Sequence, residues 1–301
     1  MYFKLNLAIK AHFRYLTIAV TISSNFQMEI KVKFYGTRGS IPVCEPQFQK
    51  FGGNTTCIGF FHHDRMGIFD AGTGVRSAGN DILENDTYQK NITIAFTHFH
   101  WDHIQGLPFF PPAYSSDRVI NLLALGKSRK TQNLKKVLTQ QMGGEYFPIE
   151  LNKMGARFNF MMVDREDMLN FYKTQVSTIK LNHPGGCFGY RVKVEGRIIV
   201  ICTDVEHGDN INPDVVEFAR NADLLVHDAQ YTDEELVNYK GWGHSSYSQA
   251  MEVAEMAGVK QLAMTHHDPR HNDEFLEAIE KKCQDRMKDC FLARDGMVIS
   301  F

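Results

Sequence analysis

The sequence predicts a layered α/β domain, and three observations support this prediction. Apolar segments with strand-like patterns come first along the chain, and further on such segments alternate with amphipathic helices. Glycine-rich turns separate the first strands, at residues 36–42 and 51–55. No repeat, low-complexity tract or linker divides the 301 residues, so we expect one sheet-rich domain with helices outside it.

The elements are predicted from apolar spacing and from the turns between them. In the first strand Ile30, Val32 and Phe34 alternate with lysines, which is typical of a half-buried strand. The further predicted strands are, in order, 57–61, 67–69, 91–97, 119–125, 157–163, 176–181, 190–194, 198–202, 224–226, 261–265, 290–293 and 297–300. The predicted helices are a short one ending at 83, then 128–142, 214–222, 246–257 and 273–288.

Bulk composition limits the functional class and the compartment. The formal net charge of −2 provides no general attraction for nucleic acid, which we therefore do not favour as a partner. Six scattered cysteines without a CxxC pair predict reduced thiols and a cytoplasmic protein. No apolar run is long enough to span a bilayer, so we expect no membrane partner. We expect residues 1–27 to be an amino-terminal extension outside the fold and residues 28–301 to form the domain.

The segment THFHWDH at residues 97–103 is the richest cluster of candidate ligands. It follows an apolar strand and holds His98, His100, Asp102 and His103 within six residues. Other predicted strands also end in His or Asp, at Asp70, His183, Asp204, His227 and His266. Because ligands bind at the carboxyl ends of strands in layered α/β proteins, we expect these side chains to converge at one edge.

The residue types at this edge indicate a centre with two divalent ions. His98 and His100 can bind one ion if the turn curls, and Asp102 and His103 then face a neighbouring ion. Asp204 can bridge both ions through its two oxygens. Imidazole and carboxylate without thiolate suit zinc, with manganese and iron as alternatives. Two ions about 3.5–4 Å apart can hold a hydroxide that attacks the substrate at neutral pH.

From about Met28 onward, the combined pattern resembles the metallo-β-lactamase superfamily. The resemblance rests on HxHxDH after an apolar strand, an earlier Asp, and later single His, Asp and His residues. It implies a four-layer αββα sandwich with the metals at one edge of the paired sheets. It assigns one ion to His98, His100, His183 and Asp204. It assigns the other ion to Asp102, His103, Asp204 and His266, and it gives Asp70 the role of orienting the HxHxDH loop.

Two later motifs resemble the ribonuclease Z and phosphodiesterase branch of that superfamily. They are LVHDAQY at 225–231 and GHSSYSQA at 243–250. The resemblance implies that His244 stabilises charge on phosphorus or protonates the leaving oxygen, and that Asp228 fixes the tautomer of His244. The catalytic set that follows is His244, Asp228 and Asp102. A carboxylate at a helix amino terminus is the structural alternative for Asp228.

The substrate predicted within this branch is a small phosphodiester, such as a cyclic nucleotide or a cyclic phosphate. The tRNA-processing members carry a long Gly/Pro-rich arm before the final His, and the segment from Asp204 to His266 lacks such an arm. Residues 105–182 form a long excursion with several aromatic side chains, which could act as a lid that stacks on a base or could pack in the core. A homodimer is compatible with this class.

Several alternatives stay open from the sequence. The same metals could serve an RNA-processing nuclease, a thioesterase or lactonase, or a metal-binding sensor of low activity. His266 and His267 are adjacent, and we favour His266 as the ligand because the apolar strand leads directly into it. We interpret His227 as a non-ligand and Arg38 as a surface residue. The remaining histidines fall outside the predicted site, namely His12, His62, His63, His207 and His271.

Overall fold

The fold comes from a computed structural model. It describes residues 30–85, 90–125, 131–163, 169–171 and 174–301. The amino-terminal extension at residues 1–27 lies outside the described residues, and its separation from the domain stays a prediction.

Two seven-stranded sheets form the centre of the molecule. The strands are β1 (Ile30–Gly36), β2 (Cys57–His62), β3 (Arg65–Phe69), β4 (Asn91–Phe96), β5 (Val119–Leu125), β6 (Arg157–Val163), β7 (Leu169–Phe171), β8 (Thr174–Leu181), β9 (Cys187–Val194), β10 (Arg197–Cys202), β11 (Leu224–Asp228), β12 (Leu262–Thr265), β13 (Cys290–Leu292) and β14 (Val298–Ser300). The first sheet has the order β14-β1-β2-β3-β4-β5-β6, and the second has the order β13-β12-β11-β10-β9-β8-β7.

Each sheet is antiparallel in one half and parallel in the other. In the first sheet β1, β2 and β3 pair antiparallel, whereas β3 to β6 run parallel. In the second sheet β10 to β13 run parallel, and β7 to β10 pair antiparallel. The predicted ligands follow the carboxyl ends of β3, β4, β10 and β12, which have parallel neighbours, and of β8, which pairs antiparallel.

Helices cover the outer face of each sheet. They are α1 (Val75–Glu84), α2 (Trp101–Ile104), α3 (Thr131–Gln141), α4 (Pro213–Ala219), α5 (Asp233–Leu236), α6 (Tyr247–Ala257) and α7 (Asp273–Arg286). Buried residues of α1 and α3 share one apolar cluster with the first sheet, and those of α4, α6 and α7 share another with the second sheet. Side-chain caps fix where helices begin: Ser246 and Gln249 form a capping box on α6, and Asn272 caps α7.

A third apolar cluster fills the space between the sheets. Ile30, Val32 and Phe34 alternate along β1 and point into it, as their spacing predicts, and Tyr190 and Ile201 meet them from the second sheet. The order helix, sheet, sheet, helix confirms the predicted αββα sandwich.

Three findings refine the sequence-based description. Strand β7 and helices α2 and α5 were not predicted. The range 105–182 contains β5 to β8 and α3, so much of it builds the sheets and their covering layer, and a lid stays a prediction for the segments between them. The interpretation of Arg38 as a surface residue is wrong, because this side chain is fully buried and donates to the carbonyls of Gly52 and His271. Over the described ranges, no helix has both the length and the apolar character needed to cross a bilayer.

Candidate metal centre

Polar side chains that follow strands of both sheets meet at one edge of the sandwich. Asp70 follows β3, and His98 and His183 come two residues after the ends of β4 and β8. Asp204 follows β10 at the same spacing, and His266 follows β12 directly. The predicted convergence is therefore present, because His98, His183, Asp204 and His266 join residues of the HxHxDH turn in overlapping groups, within each of which the ligand atoms lie within 4.8 Å of one another. Asp70 lies behind them and contacts Nδ1 of His103.

The carboxylate of Asp204 lies at the middle of this cluster. Its Oδ2 is 3.3 Å from Nε2 of His103, and its Oδ1 is 3.3 Å from Nε2 of His266. The same Oδ1 is 3.8 Å from Nε2 of both His98 and His183. Because the histidines surround both oxygens, Asp204 is geometrically suited to join two groups of ligands.

One group consists of imidazoles and the other includes a second carboxylate. His98, His100 and His183 form the first, with Nδ1 of His100 only 3.0 Å from Nε2 of His183. Asp102, His103 and His266 form the second. In that group Oδ2 of Asp102 is 3.4 Å from Nε2 of His103 and 3.1 Å from Nε2 of His266.

Hydrogen bonds on the far ring nitrogens fix the direction of three imidazoles. Nδ1 of His103 lies 2.8 Å from Oδ2 of Asp70, which also accepts from Thr97. Nδ1 of His183 donates to the carbonyl of Gly243 at 2.9 Å. With Nδ1 carrying the hydrogen, Nε2 of each ring presents a lone pair to the cluster, as in metal sites where a carboxylate or carbonyl orients the ligand.

The third oriented ring is that of His266. Its orientation shows which of the adjacent residues His266 and His267 faces the cluster. Nδ1 of His266 lies 3.0 Å from Oε1 of Gln230, so its Nε2 faces the cluster. His267 points away and donates from Nε2 to the carbonyl of Ala293. His227 also stays outside the cluster, because its two nitrogens contact the carbonyl of Asp228 and the ring of His207.

Unpartnered polar atoms at the centre of the cluster fit a bound cation. Nε2 of His98, Nε2 of His103 and Oδ2 of Asp204 are buried and lack a hydrogen-bond partner among the described residues. Burying such groups without partners costs roughly 1–3 kcal/mol each, and more when they are charged. Coordination of divalent ions would satisfy all three, and the donor set of imidazole and carboxylate suits zinc.

The electrostatics of the cluster are dominated by mutual attraction of its acids and bases. Burial works to raise the pKa of Asp204, but the charges of His103, His266 and His98 outweigh it and hold that pKa well below its usual value. Burial works to lower the pKa of His103, but Asp204 and Asp102 keep it well above its usual value. The pKa of His98 is lowered, chiefly by burial. Protons and metal ions therefore compete for Nε2 of His103.

Backbone strain is concentrated at the same residues. Asp70, Asp204 and His266 adopt φ of 62°, 56° and 66°, and Ser40 adopts 63°. Non-glycine residues rarely occupy this left-handed region, and such strain gathers at functional sites. Ser40 is part of the site as well, since its backbone N–H donates to Oδ2 of Asp102 at 2.8 Å.

Two glycines allow the backbone to approach the histidines closely. A Cβ on Gly39 would lie 2.2 Å from Nδ1 of His266, and one on Gly243 would lie 2.1 Å from Nδ1 of His183. The sequence showed these glycine-rich turns but gave no sign of what they approach. The roles of Ser40, Gln230 and the Gly243 carbonyl were likewise missed, although each lies inside a motif already singled out.

His244 and Asp228 form a buried pair beside the cluster. Nδ1 of His244 lies 2.7 Å from Oδ2 of Asp228, and the His244 ring stacks on His266 at 4.8 Å between centroids. Asp228 is the last residue of β11 and also accepts from the backbone N–H groups of Asp204 and Ser245. It does not cap a helix, because Thr232 caps α5.

Comparison with known proteins agrees with this fold. The family described as "Beta-lactamase superfamily domain" matches residues 67–267, which hold all the candidate ligands, and the chain belongs to this family. It is a metal-dependent hydrolase of the metallo-β-lactamase superfamily, in the branch that contains ribonuclease Z.

Individual relatives and solved structures are similar to this chain over most of its length. A ribonuclease Z of Picrophilus torridus is 26% identical over 308 residues, covering 88% of this chain and 94% of the relative. The metallo-β-lactamase fold protein YhfI of Bacillus subtilis superposes with a TM-score of 0.70 at 17% identity, covering 91% of this chain and all of that structure. A diphosphatase of the PhnP family superposes with a TM-score of 0.67 at 18% identity, covering 90% and 98%.

Proposed function

We propose that this chain is a dinuclear phosphodiesterase that hydrolyses a small phosphodiester. The observation that carries the proposal is the position of Asp204, whose Oδ1 lies 3.8 Å from Nε2 of both His98 and His183 and whose Oδ2 lies 3.3 Å from Nε2 of His103. We assign the first ion, zinc by its donor set, to His98, His100, His183 and Asp204. We assign the second to Asp102, His103, Asp204 and His266.

The protein's own contribution is to hold these ligands in a fixed geometry. The chemistry that two divalent ions supply at such a centre is neutralisation of phosphoryl charge and activation of water near neutral pH. Asp70 keeps a hydrogen at Nδ1 of His103, and Gln230 does the same for His266. Because these rings cannot turn without breaking a buried hydrogen bond, the Nε2 atoms of His103 and His266 stay directed into the cluster.

We assign His244 the transfer of a proton to the leaving oxygen. Asp228 holds the hydrogen at Nδ1, so the transferable proton of the charged ring lies at Nε2. The ring of His244 is buried and contacts those of His183 and His266, which supports an assignment in which its Nε2 faces the phosphoryl group.

Two features favour a small substrate. The segment from 204 to 266, which is described throughout, folds compactly into α4, β11, α5, α6 and the strand β12, with no projecting arm. A row of aromatic rings runs from the exposed Trp242 through Tyr239 and Tyr231 to His244, with centroid separations of 5.2, 4.6 and 6.0 Å. Such a row suits a substrate with a flat base attached to the phosphate.

Turnover of bis(p-nitrophenyl) phosphate and of cyclic nucleotides, with added zinc or manganese, tests the proposal. We expect hydrolysis that disappears in the double variant His98→Ala/Asp204→Ala and persists in the exposed control variant Asp214→Asn. Wild-type turnover no higher than that of the double variant would exclude a phosphodiesterase. Preference for a lactone or thioester panel, with His244→Ala as active as wild type, would instead favour hydrolysis of a carboxyl centre.

RNA processing is the second candidate function. It is favoured by the match to the ribonuclease Z of Picrophilus torridus over 94% of that protein's length. The two functions separate on a precursor tRNA with a 3′ trailer, compared with a cyclic nucleotide at equal enzyme concentration. A higher kcat/KM on the precursor than on the cyclic nucleotide would indicate that RNA, and not a small phosphodiester, is the substrate.

A further inference from the structure

A second group of candidate ligands lies at the opposite edge of the sandwich. His62 ends β2, His63 lies in the turn before β3, and Glu195 lies in the turn between β9 and β10. Their ligand atoms lie within 4.8 Å of one another. Strands β3 and β10 begin beside these turns and end close to Asp70 and Asp204, so roughly 15–25 Å separates the two groups.

The contacts within this second group are those of ligands around an ion. Nε2 of His62 is 3.2 Å and Nε2 of His63 is 3.4 Å from the same oxygen, Oε1 of Glu195. Tetrahedral zinc sites with bonds of about 2.0–2.2 Å put ligand atoms roughly 3.3–3.5 Å apart, whereas charge-assisted hydrogen bonds are about 2.7–2.9 Å long.

The buried histidine of the group needs a partner that the described residues do not provide. The side chain of His62 is only 6% exposed, and its Nε2 has no hydrogen-bond partner there despite the nearby Glu195 oxygen. His63 and Glu195 both adopt positive φ, of 58° and 49°. Hairpin turns that need this conformation favour Gly, Asn and Asp, so turn geometry alone does not account for His and Glu at these positions.

We propose that His62, His63 and Glu195 bind a structural zinc ion, separate from the dinuclear centre, that ties the two sheets together. Two imidazoles and a carboxylate are zinc ligands, and a water completes the coordination. The ion would join the β2–β3 hairpin of the first sheet to the β9–β10 hairpin of the second. Since metal binding to the folded state stabilises it, removal of this ion lowers the melting temperature and leaves catalysis intact.

Zinc content and thermal unfolding of the full chain test this site. After chelation, zinc loading and desalting, we expect Glu195→Gln and His63→Asn each to retain one zinc ion per chain fewer than wild type. Both variants keep phosphodiester turnover, and zinc raises their melting temperature less. Asp64→Asn, in the same turn, is the matched control with wild-type zinc content. Equal zinc content in wild type and both variants would overturn the proposal. So would anomalous diffraction of zinc-loaded crystals without a peak between His62 and Glu195.

Discussion

Replacing Asp228 by asparagine should disable His244. Asp228 accepts four buried hydrogen bonds: Oδ2 from His244 at 2.7 Å and Asp204 at 3.1 Å, and Oδ1 from Ser245 at 2.9 Å and Gln230 at 3.3 Å. Asparagine keeps one oxygen, so in either amide orientation its NH₂ group faces two donors. At roughly 1.5–3 kcal/mol per bond to a charged group, the loss is roughly 3–6 kcal/mol, shared between folding stability and site geometry.

The assay compares kcat/KM on two phosphodiesters, one with a weakly basic nitrophenolate leaving group and one with a strongly basic alkoxide. Because an alkoxide needs a proton to leave, we expect His244→Ala and Asp228→Asn each to lose ~10²–10⁴-fold on the alkyl substrate and less on the nitrophenyl substrate. The double variant should lose little more than His244→Ala, since the pair acts as a unit. Urea unfolding of each variant measures separately the part of the loss that lowers the free energy of unfolding.

Full activity in Asp228→Asn, or losses that multiply in the double variant, would refute the pairing. Equal losses on both substrates would assign His244 to charge stabilisation instead of proton transfer.

Three further predictions concern metal binding and stability. Asp70→Ala frees the His103 ring, so we expect zinc affinity at the dinuclear centre to fall ~10–100-fold in chelator competition, and unchanged affinity would contradict this role. Gly39→Ala places a Cβ 2.2 Å from the His266 ring, so we expect lost zinc and lost turnover by elemental analysis and assay, with retention of both as the contrary result. Burial, and then the charge of His227, lowers the pKa of His207 from 6.5 to about 3. At pH values between these two pKa values, the unfolded chain therefore binds more protons than the folded chain. The free energy of unfolding then falls as pH drops below 6.5, by about 2 kcal/mol from pH 7.5 to pH 5. His207→Gln should remove this part of the urea-measured pH dependence, and an unchanged slope would exclude His207 as its source.

The sequence predicted those parts of the site that are encoded locally. A polar residue directly after an apolar strand is a local pattern, and it located Asp70, Asp204 and His266 before the fold was described. The partner of His266 could not be predicted, because the Gln230 amide reaches it only when β11 pairs with β12. Glu195 was missed for the same reason, since it meets His62 and His63 only when the two sheets pack together.

Anomalous diffraction at the zinc edge, on crystals loaded with zinc, tests the central claim most directly. The proposed centre predicts two peaks roughly 3.5–4 Å apart on either side of the Asp204 carboxylate. One peak should be bounded by His98, His100 and His183, and the other by Asp102, His103 and His266. At this edge of the sandwich, a single peak, or two peaks that do not share Asp204, would contradict a dinuclear centre bridged by this residue.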